Sequence, residues 1–589
     1  MAPGGPLGWG SLFPILGVVG IVPLIVYQHP VVLTGFEASR WIGLAEDRDL
    51  FSCVRAMWLC LFAGTGMALF FFQGRRYCQT WFNVPLFLFA VLAILSTMFS
   101  ETPGPTLWGA PGRYEGLFVL LSYVGTCFLC INQANDRASV KWLLGVLMAA
   151  SCVIAIVGIA QFLGHDPFQT QWGKELILPF RDHDRAPFLQ FSAGAGSMFG
   201  TFPNPNNLGS FVPMVLLVLS GVIFLPGVPR KLWLVLLFLL QFVVLSGSRS
   251  KAGMLGLGCG CLGLLVIGRR RLKGRLGLLA GLGLGMVAVL FAMDFATLRL
   301  ESARRLFDDF STRRISHAQS LPPDFENVVL ASDSVEVIYR TNRIRVEQRD
   351  GAFIFRNAKG EGVPFELKGS EIVFPPGEFH GILVKIATEA RILQIKRLEQ
   401  RVHVKYTPDG FRFLDALGRE QILRPVEKWG FSGNDRWGNG RGFIWSRTLP
   451  LLRDTLFLGF GADMFLYHFP QTDFLGLLRA DYPIGLFIDK PHNLYLQIAV
   501  NTGVTSLLVL LILFGAYLGQ SVRLYWTASF EDWRESVGLC LAMAVFSYLV
   551  AGVFNDSVVS VAPVFWALLG TGIGVNRSLE AEPAGPREG

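Results

Sequence analysis

Apolar residues form long stretches at both ends of the chain, separated by short polar segments. A membrane-spanning helix needs about 20 mostly apolar residues, with about 17 as the lower limit. About twelve stretches approach that length, near 8–27, 56–72, 84–99, 117–131, 142–163, 206–225, 232–245, 252–267, 276–293, 504–518, 537–554 and 558–575. The pattern therefore predicts an all-α polytopic membrane protein of about twelve transmembrane helices.

The pattern changes between the ninth and tenth stretches, where charged residues become frequent and apolar residues alternate with polar ones. Alternation at period two predicts strands with one wet face. The pairs Asp350-Gly351 and Asp409-Gly410 lie between such runs and are typical of hairpin turns. We expect an inserted extracytoplasmic antiparallel β domain at 332–423, with about eight strands, acting as a binding or positioning module.

Glycine, aromatic and apolar residues return from residue 429, without reaching the length of a span. We interpret 440–492 as a re-entrant or interfacial segment. The predicted organisation is a nine-helix membrane domain at 1–293, a β insert at 294–428, an outer loop at 429–502, and three final helices with a cytoplasmic tail at 503–589.

Composition excludes a soluble enzyme as the main description, because 52% of the 589 residues are hydrophobic and 16% are charged, against about 25% charged in soluble domains. Disorder is excluded because it requires low hydrophobicity. The 52 Lys and Arg exceed the 44 Asp and Glu and give a net charge of +8. In a membrane protein this excess indicates basic cytoplasmic loops and not a nucleic-acid partner.

Basic residues follow every even-numbered stretch: Arg75 and Arg76, Arg137 and Lys141, Arg230 and Lys231, Arg269 to Arg275, Arg523, and Arg577. The positive-inside rule then predicts cytoplasmic termini and places the β domain outside. The stretches hold essentially no ionisable residues, which argues against an ion-coupled transporter. Polar chemistry is therefore expected at the outer helix ends.

His492 lies in a polar segment directly before the tenth stretch. A histidine at a membrane face suits general base catalysis, or it is a structural interfacial residue. Arg249 lies in the short outer turn before the eighth stretch, Arg441 in the outer loop, and Arg113 before the fourth stretch. Each arginine is either an interfacial residue or a guanidinium clamp for phosphate, which needs no metal.

The sequence predicts no metal site. His165-Asp166 and His183-Asp184 share one outer loop, but their spacing matches no standard metal site. Cys259 and Cys261 lie within a predicted span, where small residues are typical of helix contacts.

Four segments together resemble the bacterial O-antigen ligase and O-antigen polymerase superfamily, integral-membrane glycosyltransferases that use polyprenyl-diphosphate-linked glycans. The order and placement of the segments, and the large outer loop before the histidine-bearing helix, carry the resemblance over most of the chain except the β insert. The segments are 199–209, 246–255, 440–465, and 492–496 with Gly503 following.

The resemblance implies a role for each of three residues. Arg249 and Arg441 would bind the donor diphosphate, and His492 would deprotonate the acceptor hydroxyl. Arg436 and Arg447 are alternatives to Arg441 in the same segment. Arg113, Asn493 and Lys251 are possible supporting residues.

The resemblance also implies inverting, metal-independent chemistry without a cofactor, at the outer face of the bacterial cytoplasmic membrane. The partners would be the bilayer, the lipid-linked donor and a glycan, lipid or protein acceptor. A polymerase, a ligase and a protein O-oligosaccharyltransferase all fit the sequence. The alternatives from other classes are a flippase for lipid-linked glycans and a non-catalytic envelope scaffold.

Overall fold

The computed structural model describes residues 9–33, 46–49, 51–75, 77–189, 197–223, 225, 231–272, 276–296, 325–340, 342–349, 352–375, 377, 379, 381–387, 390–397 and 400–581. Arg76, Arg230, Lys273, Arg275, Asp350 and Gly351 lie outside these residues. Each of the twelve predicted stretches overlaps an α-helix, so the apolar pattern located the helices correctly.

The helices before the β region are α1 Trp9–Gly20, α2 Ser52–Phe72, α3 Asn83–Met98, α4 Pro103–Trp108, α5 Leu117–Gln133, α6 Arg137–Phe162, α7 Gln171–Ile177, α8 Pro205–Ile223, α9 Lys231–Ser248, α10 Lys251–Ile267, α11 Arg269–Leu272 and α12 Leu276–Ala296. Those after it are α13 Trp437–Thr448, α14 Phe465–His468, α15 Phe474–Arg479, α16 Leu494–Thr502, α17 Val504–Trp526, α18 Trp533–Ala551 and α19 Ala562–Ala581. Four 3₁₀ segments occupy Val22–Leu24, Pro167–Gln169, Phe180–Phe188 and Leu449–Arg453.

Five of the described helices, α2, α6, α8, α17 and α18, are long and apolar enough to cross a membrane. Six further apolar helices are shorter. The chain is thus mostly helical with several candidate spans, and a count of twelve spans stays a prediction.

Helix α2 begins earlier than the sequence predicted and includes Arg55, which is fully buried. The expectation of spans without ionisable residues is wrong at this position. Hydrogen bonds offset part of the cost of burying the guanidinium: its Nη2 donates to the carbonyls of Thr201 at 2.6 Å and Pro23 at 3.3 Å. Its charge also faces the rings of Phe51 and Phe202, each 5.8 Å away.

Small residues let the helices at the centre of the bundle approach closely. A Cβ on Gly209 of α8 would lie 2.1 Å from Cβ of Ser250, directly before α10. A Cβ on Gly256 of α10 would lie 2.6 Å from the carbonyl oxygen of Ser547 in α18. Side chains larger than hydrogen at these contacts would separate helices whose association depends on packing.

Antiparallel β-structure follows α12, as predicted, but in two sheets. Strands β1 His29–Val32 and β2 Glu46–Asp49 form a separate pair near the N-terminus. The four-stranded sheet contains β3 Phe325–Leu330, β4 Ser334–Tyr339, β5 Arg343–Arg349 and β6 Ala352–Arg356. The seven-stranded sheet contains β7 Glu366–Lys368, β8 Glu371–Val373, β9 Ile382–Ala387, β10 Ile392–Arg397, β11 Gln400–Thr407, β12 Gly410–Leu414 and β13 Glu420–Gln421.

The described part of this region has more strands than the eight expected, because β7, β8 and β13 are two or three residues long and too short to show alternation. Within each sheet, consecutive strands pair with each other. Gly410 has φ of 116° and follows the turn between β11 and β12, which confirms that hairpin.

The β region and the following loop share one hydrophobic core. Buried strand residues such as Val384 and Phe413 belong to the same cluster as Phe443 of α13 and Phe474 of α15. The rings of Phe413 and Phe474 lie 5.5 Å apart, and the side-chain amide of Gln400 donates to a carbonyl of α15 at 2.7 Å. The sheets therefore pack directly on the segment that carries Arg441.

Candidate active site

The loop between α18 and α19 is the centre of the candidate site, because its consecutive residues bind different partners. The carbonyls of Val553 and Phe554 accept hydrogen bonds from Asn493 Nδ2 at 2.9 Å and Arg441 Nη2 at 2.6 Å. Three further contacts follow in order: Asn555 Nδ2 donates to Ser210 Oγ at 2.8 Å, Asp556 binds His492, and Ser557 Oγ donates to Glu115. One short loop thus joins residues from four distant parts of the chain.

His492 forms a dyad with Asp556, with 3.1 Å between Nδ1 and Oδ2. Since a carboxylate only accepts, the shared proton lies on Nδ1 and the lone pair of the neutral ring lies on Nε2. The imidazole is 38% exposed, whereas the Asp556 side chain is 6% exposed. The dyad therefore combines an accessible basic nitrogen with a buried acid that orients it, as in other histidine–carboxylate pairs.

Asp556 stays ionised although it is buried. Burial favours its neutral form, but His492, Lys490 and Arg113 outweigh burial and hold the pKa of this carboxyl well below its ordinary value. Lys490 Nζ lies 4.0 Å from Oδ2. A fixed negative charge beside Nδ1 would stabilise an imidazolium that forms during proton transfer.

Arg441 is aimed at this loop by an unusual backbone. Gly438, Asn439 and Gly440 have φ of 64°, 61° and 83°, and helical geometry resumes after them. The guanidinium donates from Nη1 to Gly438 O at 2.8 Å and from Nη2 to Phe554 O at 2.6 Å. Its Nε is buried and has no hydrogen-bond partner among the described residues. Arg441 is thus held at the loop with donor capacity unused.

The neighbours Arg447 and Arg436 are engaged elsewhere. Arg447 is buried between Asp435 and Asp473, with 2.9 Å to the latter, and its guanidinium lies 4.5 Å from the ring centroid of Phe443. Arg436 donates from Nε to a carbonyl at 3.1 Å. These contacts favour Arg441 over both alternatives as the ligand-facing arginine.

Arg113 lies in a buried ionic cluster beside the dyad, and its side chain is 8% exposed. Its Nε donates to Asp463 Oδ1 at 2.8 Å, and Glu115 and Asp489 lie 3.6 and 3.8 Å away. Burial favours the neutral form of Arg113, but the surrounding carboxylates outweigh it and raise the pKa above its ordinary value. Arg113 therefore remains a cation.

Glu115 links this cluster to the loop and to α16. Its two oxygens accept from Tyr123 Oη and from Gln497 Nε2, each at 2.7 Å, and from the Ser557 hydroxyl. Gln497 in turn accepts from the backbone N–H of Ser557 at 2.8 Å. This closed network fixes the loop relative to the helix that begins beside His492.

Arg249 lies on the turn between α9 and α10, Lys251 is the first residue of α10, and both are exposed. Arg249 has φ of 55° and makes no ion pair with another described residue. The turn packs on α8 at Gly209, and the next residue, Ser210, accepts the bond from Asn555. The structure thus gathers His492, Asn493, Arg441 and Arg113 around one loop and places Arg249 and Lys251 next to it, at the junction of α9 and α10.

A cavity of about 310 Å³ adjoins the dyad. Its walls come from the start of α2, the segment before α8, the Arg113 loop, the residues before His492 and the α18–α19 loop. The helix ends that the sequence placed on one side of the membrane therefore meet at one end of the bundle.

Sequence reasoning missed Asp556, Glu115 and Asp463. A signal for Asp556 was present, because 555–557 is a polar tripeptide between two long apolar stretches. Nothing in the sequence pairs that tripeptide with His492, which lies 64 positions earlier.

The O-antigen ligase family model matches residues 382–511 of the chain. The matched part contains Arg441, His492 and Asn493. It begins inside the seven-stranded sheet, whereas the sequence motifs had carried the resemblance only outside the β insert.

A search of curated proteins found no match. The family match indicates O-antigen ligase-type glycosyltransferase activity in polysaccharide biosynthesis, and with the apolar helices it indicates a membrane protein. The match supports membership of this chain in the O-antigen ligase and O-antigen polymerase superfamily.

Proposed function

We propose that the protein transfers a glycan from a polyprenyl-diphosphate-linked donor to an acceptor hydroxyl, at the outer face of the cytoplasmic membrane. The observation that carries the proposal is the His492–Asp556 dyad, which leaves Nε2 accessible beside the anchored cation of Arg441. A base and an anion-binding group next to each other are what glycosyl transfer from a diphosphate requires.

His492 is the general base in this proposal. Its Nε2 takes the proton of the acceptor hydroxyl, and the oxygen attacks the anomeric carbon of the donor from the side opposite the diphosphate. The new glycosidic bond forms as the bond to the leaving oxygen breaks, so the anomeric configuration inverts. Asp556 stabilises the imidazolium, whose proton then passes to solvent. A positioned base contributes about 10²–10⁴-fold.

Arg441 and Arg249 are the proposed diphosphate ligands. Negative charge grows on the diphosphate as it leaves, and guanidiniums bind phosphate oxygens in bidentate fashion. Arg441 is held by two backbone carbonyls, which limits its reorganisation during the reaction. Removing one such donor typically costs about 2–4 kcal/mol in the barrier. Arg249 is exposed on the adjacent turn and has the freedom to close over a bound donor.

Asn493 and Arg113 are proposed to support the site without touching the reacting atoms. Asn493 caps α16 by accepting from the N–H groups of Tyr495 and Leu496, each at 2.9 Å, while its amide binds the loop. It thereby fixes the backbone beside His492. Lys251 adds positive charge next to Arg249 on the donor side.

Transfer by the purified full chain tests the proposal. Wild type, His492→Ala and Arg441→Ala are given a polyprenyl-diphosphate glycan, candidate acceptors and EDTA, and products are identified by mass. His165→Ala is the matched control, because His165 is exposed and outside the site. We expect the control to equal wild type and the two site variants to lose at least about 10²-fold.

Full activity of the His492 and Arg441 variants would refute the assigned residues. Movement of the lipid-linked glycan across a vesicle membrane without transfer to any acceptor would favour a flippase instead.

A further inference from the structure

The cavity beside the dyad is lined by polar and charged groups, among them Arg113, Asn204, Asn207, Asp489, Lys490 and Ser560. Its volume of about 310 Å³ is within the range of small-ligand sites. We propose that this cavity binds a neutral sugar unit of the acceptor glycan. The inference rests on the proposed function and adds the class of group that the acceptor presents.

Unsatisfied hydrogen-bonding groups point to a polar ligand. Nη1 of Arg113 and Oγ of Ser560 are buried and have no hydrogen-bond partner among the described residues. Arg113 Nη1 lies 3.8 Å from Asp489, too far for a hydrogen bond. Buried polar atoms are normally paired, and each unpaired one costs about 1–3 kcal/mol. Sugar hydroxyls both donate and accept, so they fit both groups.

Asn207 adds a free amide at the cavity wall. Its backbone N–H is bonded to Asn204 Oδ1 at 3.1 Å, while its side chain makes no hydrogen bond to another described residue. It lies in the first turn of α8, and the buried Gln161 anchors the segment before this helix by accepting from Gly200 N at 2.7 Å and donating to Gly200 O at 2.9 Å. The amide is therefore pre-positioned for a ligand.

Charge decides which ligand the cavity admits. The charged groups that line it are balanced, Glu115 and Asp489 against Arg113 and Lys490, and both cations are already close to carboxylates behind the wall, Arg113 to Asp463 and Lys490 to Asp556. A diphosphate or an anionic sugar would have to compete with these carboxylates for the two cations and would be repelled by Glu115 and Asp489. A neutral sugar avoids this cost and can donate hydroxyls to the partly exposed Asp489.

The position of the cavity assigns the sugar to the acceptor. Asp489 and Lys490 line it three and two residues before His492, and Ser557 lines it directly after Asp556. Because the cavity is lined by residues that flank both members of the dyad, we assign the sugar to the acceptor, whereas the donor diphosphate is assigned to Arg441 and Arg249.

Ligand-observed NMR on the purified full chain in detergent tests this inference, with methyl glucoside as the probe. Methyl glucuronoside is the matched anionic probe, and inorganic diphosphate is the competitor. Asn207→Ala and Ser560→Ala are the site variants. Asn206→Ala is the control, because Asn206 is the neighbouring amide and is exposed.

We expect wild type and Asn206→Ala to bind the glucoside, and each site variant to bind it about tenfold more weakly, since one hydrogen bond is lost. The glucuronoside should bind more weakly than the glucoside, and diphosphate should not displace the glucoside. Equal binding by Asn207→Ala and Asn206→Ala, stronger binding of the glucuronoside, displacement by diphosphate, or no glucoside binding by wild type would each overturn the proposal.

The transfer assay separates this inference from the proposed function. If wild type transfers glycan while the sugar-binding result fails, the cavity assignment is wrong and the function stands. If sugar binding follows expectation and wild type transfers nothing, the cavity is a sugar site and the transferase proposal fails.

Discussion

Asp556 Oδ2 lies 3.1 Å from His492 Nδ1, although the two residues are 64 positions apart, His492 just before α16 and Asp556 in the α18–α19 loop. The carboxylate fixes the tautomer of the ring and leaves Nε2 free. This contact predicts that His492 is a general base oriented by Asp556, which a substitution that removes the negative charge of Asp556 can test.

Asp556→Asn should lower kcat about 10²–10⁴-fold with little change in donor affinity. An asparagine amide can donate to Nδ1, which would move the ring proton to Nε2 and remove the basic lone pair. The measurement is steady-state transfer at saturating donor, with donor affinity from equilibrium binding. A variant with wild-type kcat would show that Asp556 does not orient the base.

Arg441→Lys should lower kcat about 10²-fold, because an ammonium cannot reproduce two fixed guanidinium contacts. Arg453→Lys is the matched control, since Arg453 lies in the same loop, is 58% exposed and pairs only with other exposed or partly exposed groups. Equal activity of both variants would remove Arg441 from the donor site.

Arg447→Ala should destabilise the protein by about 3–5 kcal/mol, because it leaves Asp435 and Asp473 buried without their cation. The measurement is the unfolding midpoint of the detergent-purified protein, with Arg453→Ala as control. An unchanged midpoint, together with lost transfer, would instead make Arg447 a ligand-binding residue.

Gly440→Ala should abolish correct placement of Arg441. Its Cβ would lie 1.9 Å from Tyr482 Oη, and φ of 83° is strained for alanine. Gly360→Ala is the matched control, because Gly360 has φ of 80° but open space around it. We expect a far larger loss of transfer for Gly440→Ala, and equal behaviour of the two variants would contradict the steric argument.

The helices were predictable because an apolar run of span length has few alternatives. Their ends were less predictable: the second apolar stretch begins at residue 56, whereas α2 begins at Ser52 and includes the charged Arg55. Backbone carbonyls and aromatic rings pair this charge, and those partners are distant in sequence. The shortest strands of the β region were missed since two or three residues carry no period.

For the site, sequence could identify residues but not their partners. His492 and Arg441 each lie in a short sequence motif, so each could be identified as a candidate site residue without knowledge of its partners. The buried carboxylate of Glu115 was passed over because its contacts to Gln497 and Ser557 join segments hundreds of residues apart. The choice of Arg441 over Arg447 also required the structure, because both lie in the same segment and only their contacts distinguish them.

The α18–α19 loop has a consequence for how the chain can vary. Each residue from Val553 to Ser557 makes a hydrogen bond to a different residue, and together they bind four parts of the protein, so none of the five is spare. One inserted or deleted residue would displace the dyad, the arginine anchor and the link to Glu115 together. The β hairpins can tolerate changes of length at their turns, whereas this loop has a fixed length, and engineering of acceptor preference should leave its residue count untouched.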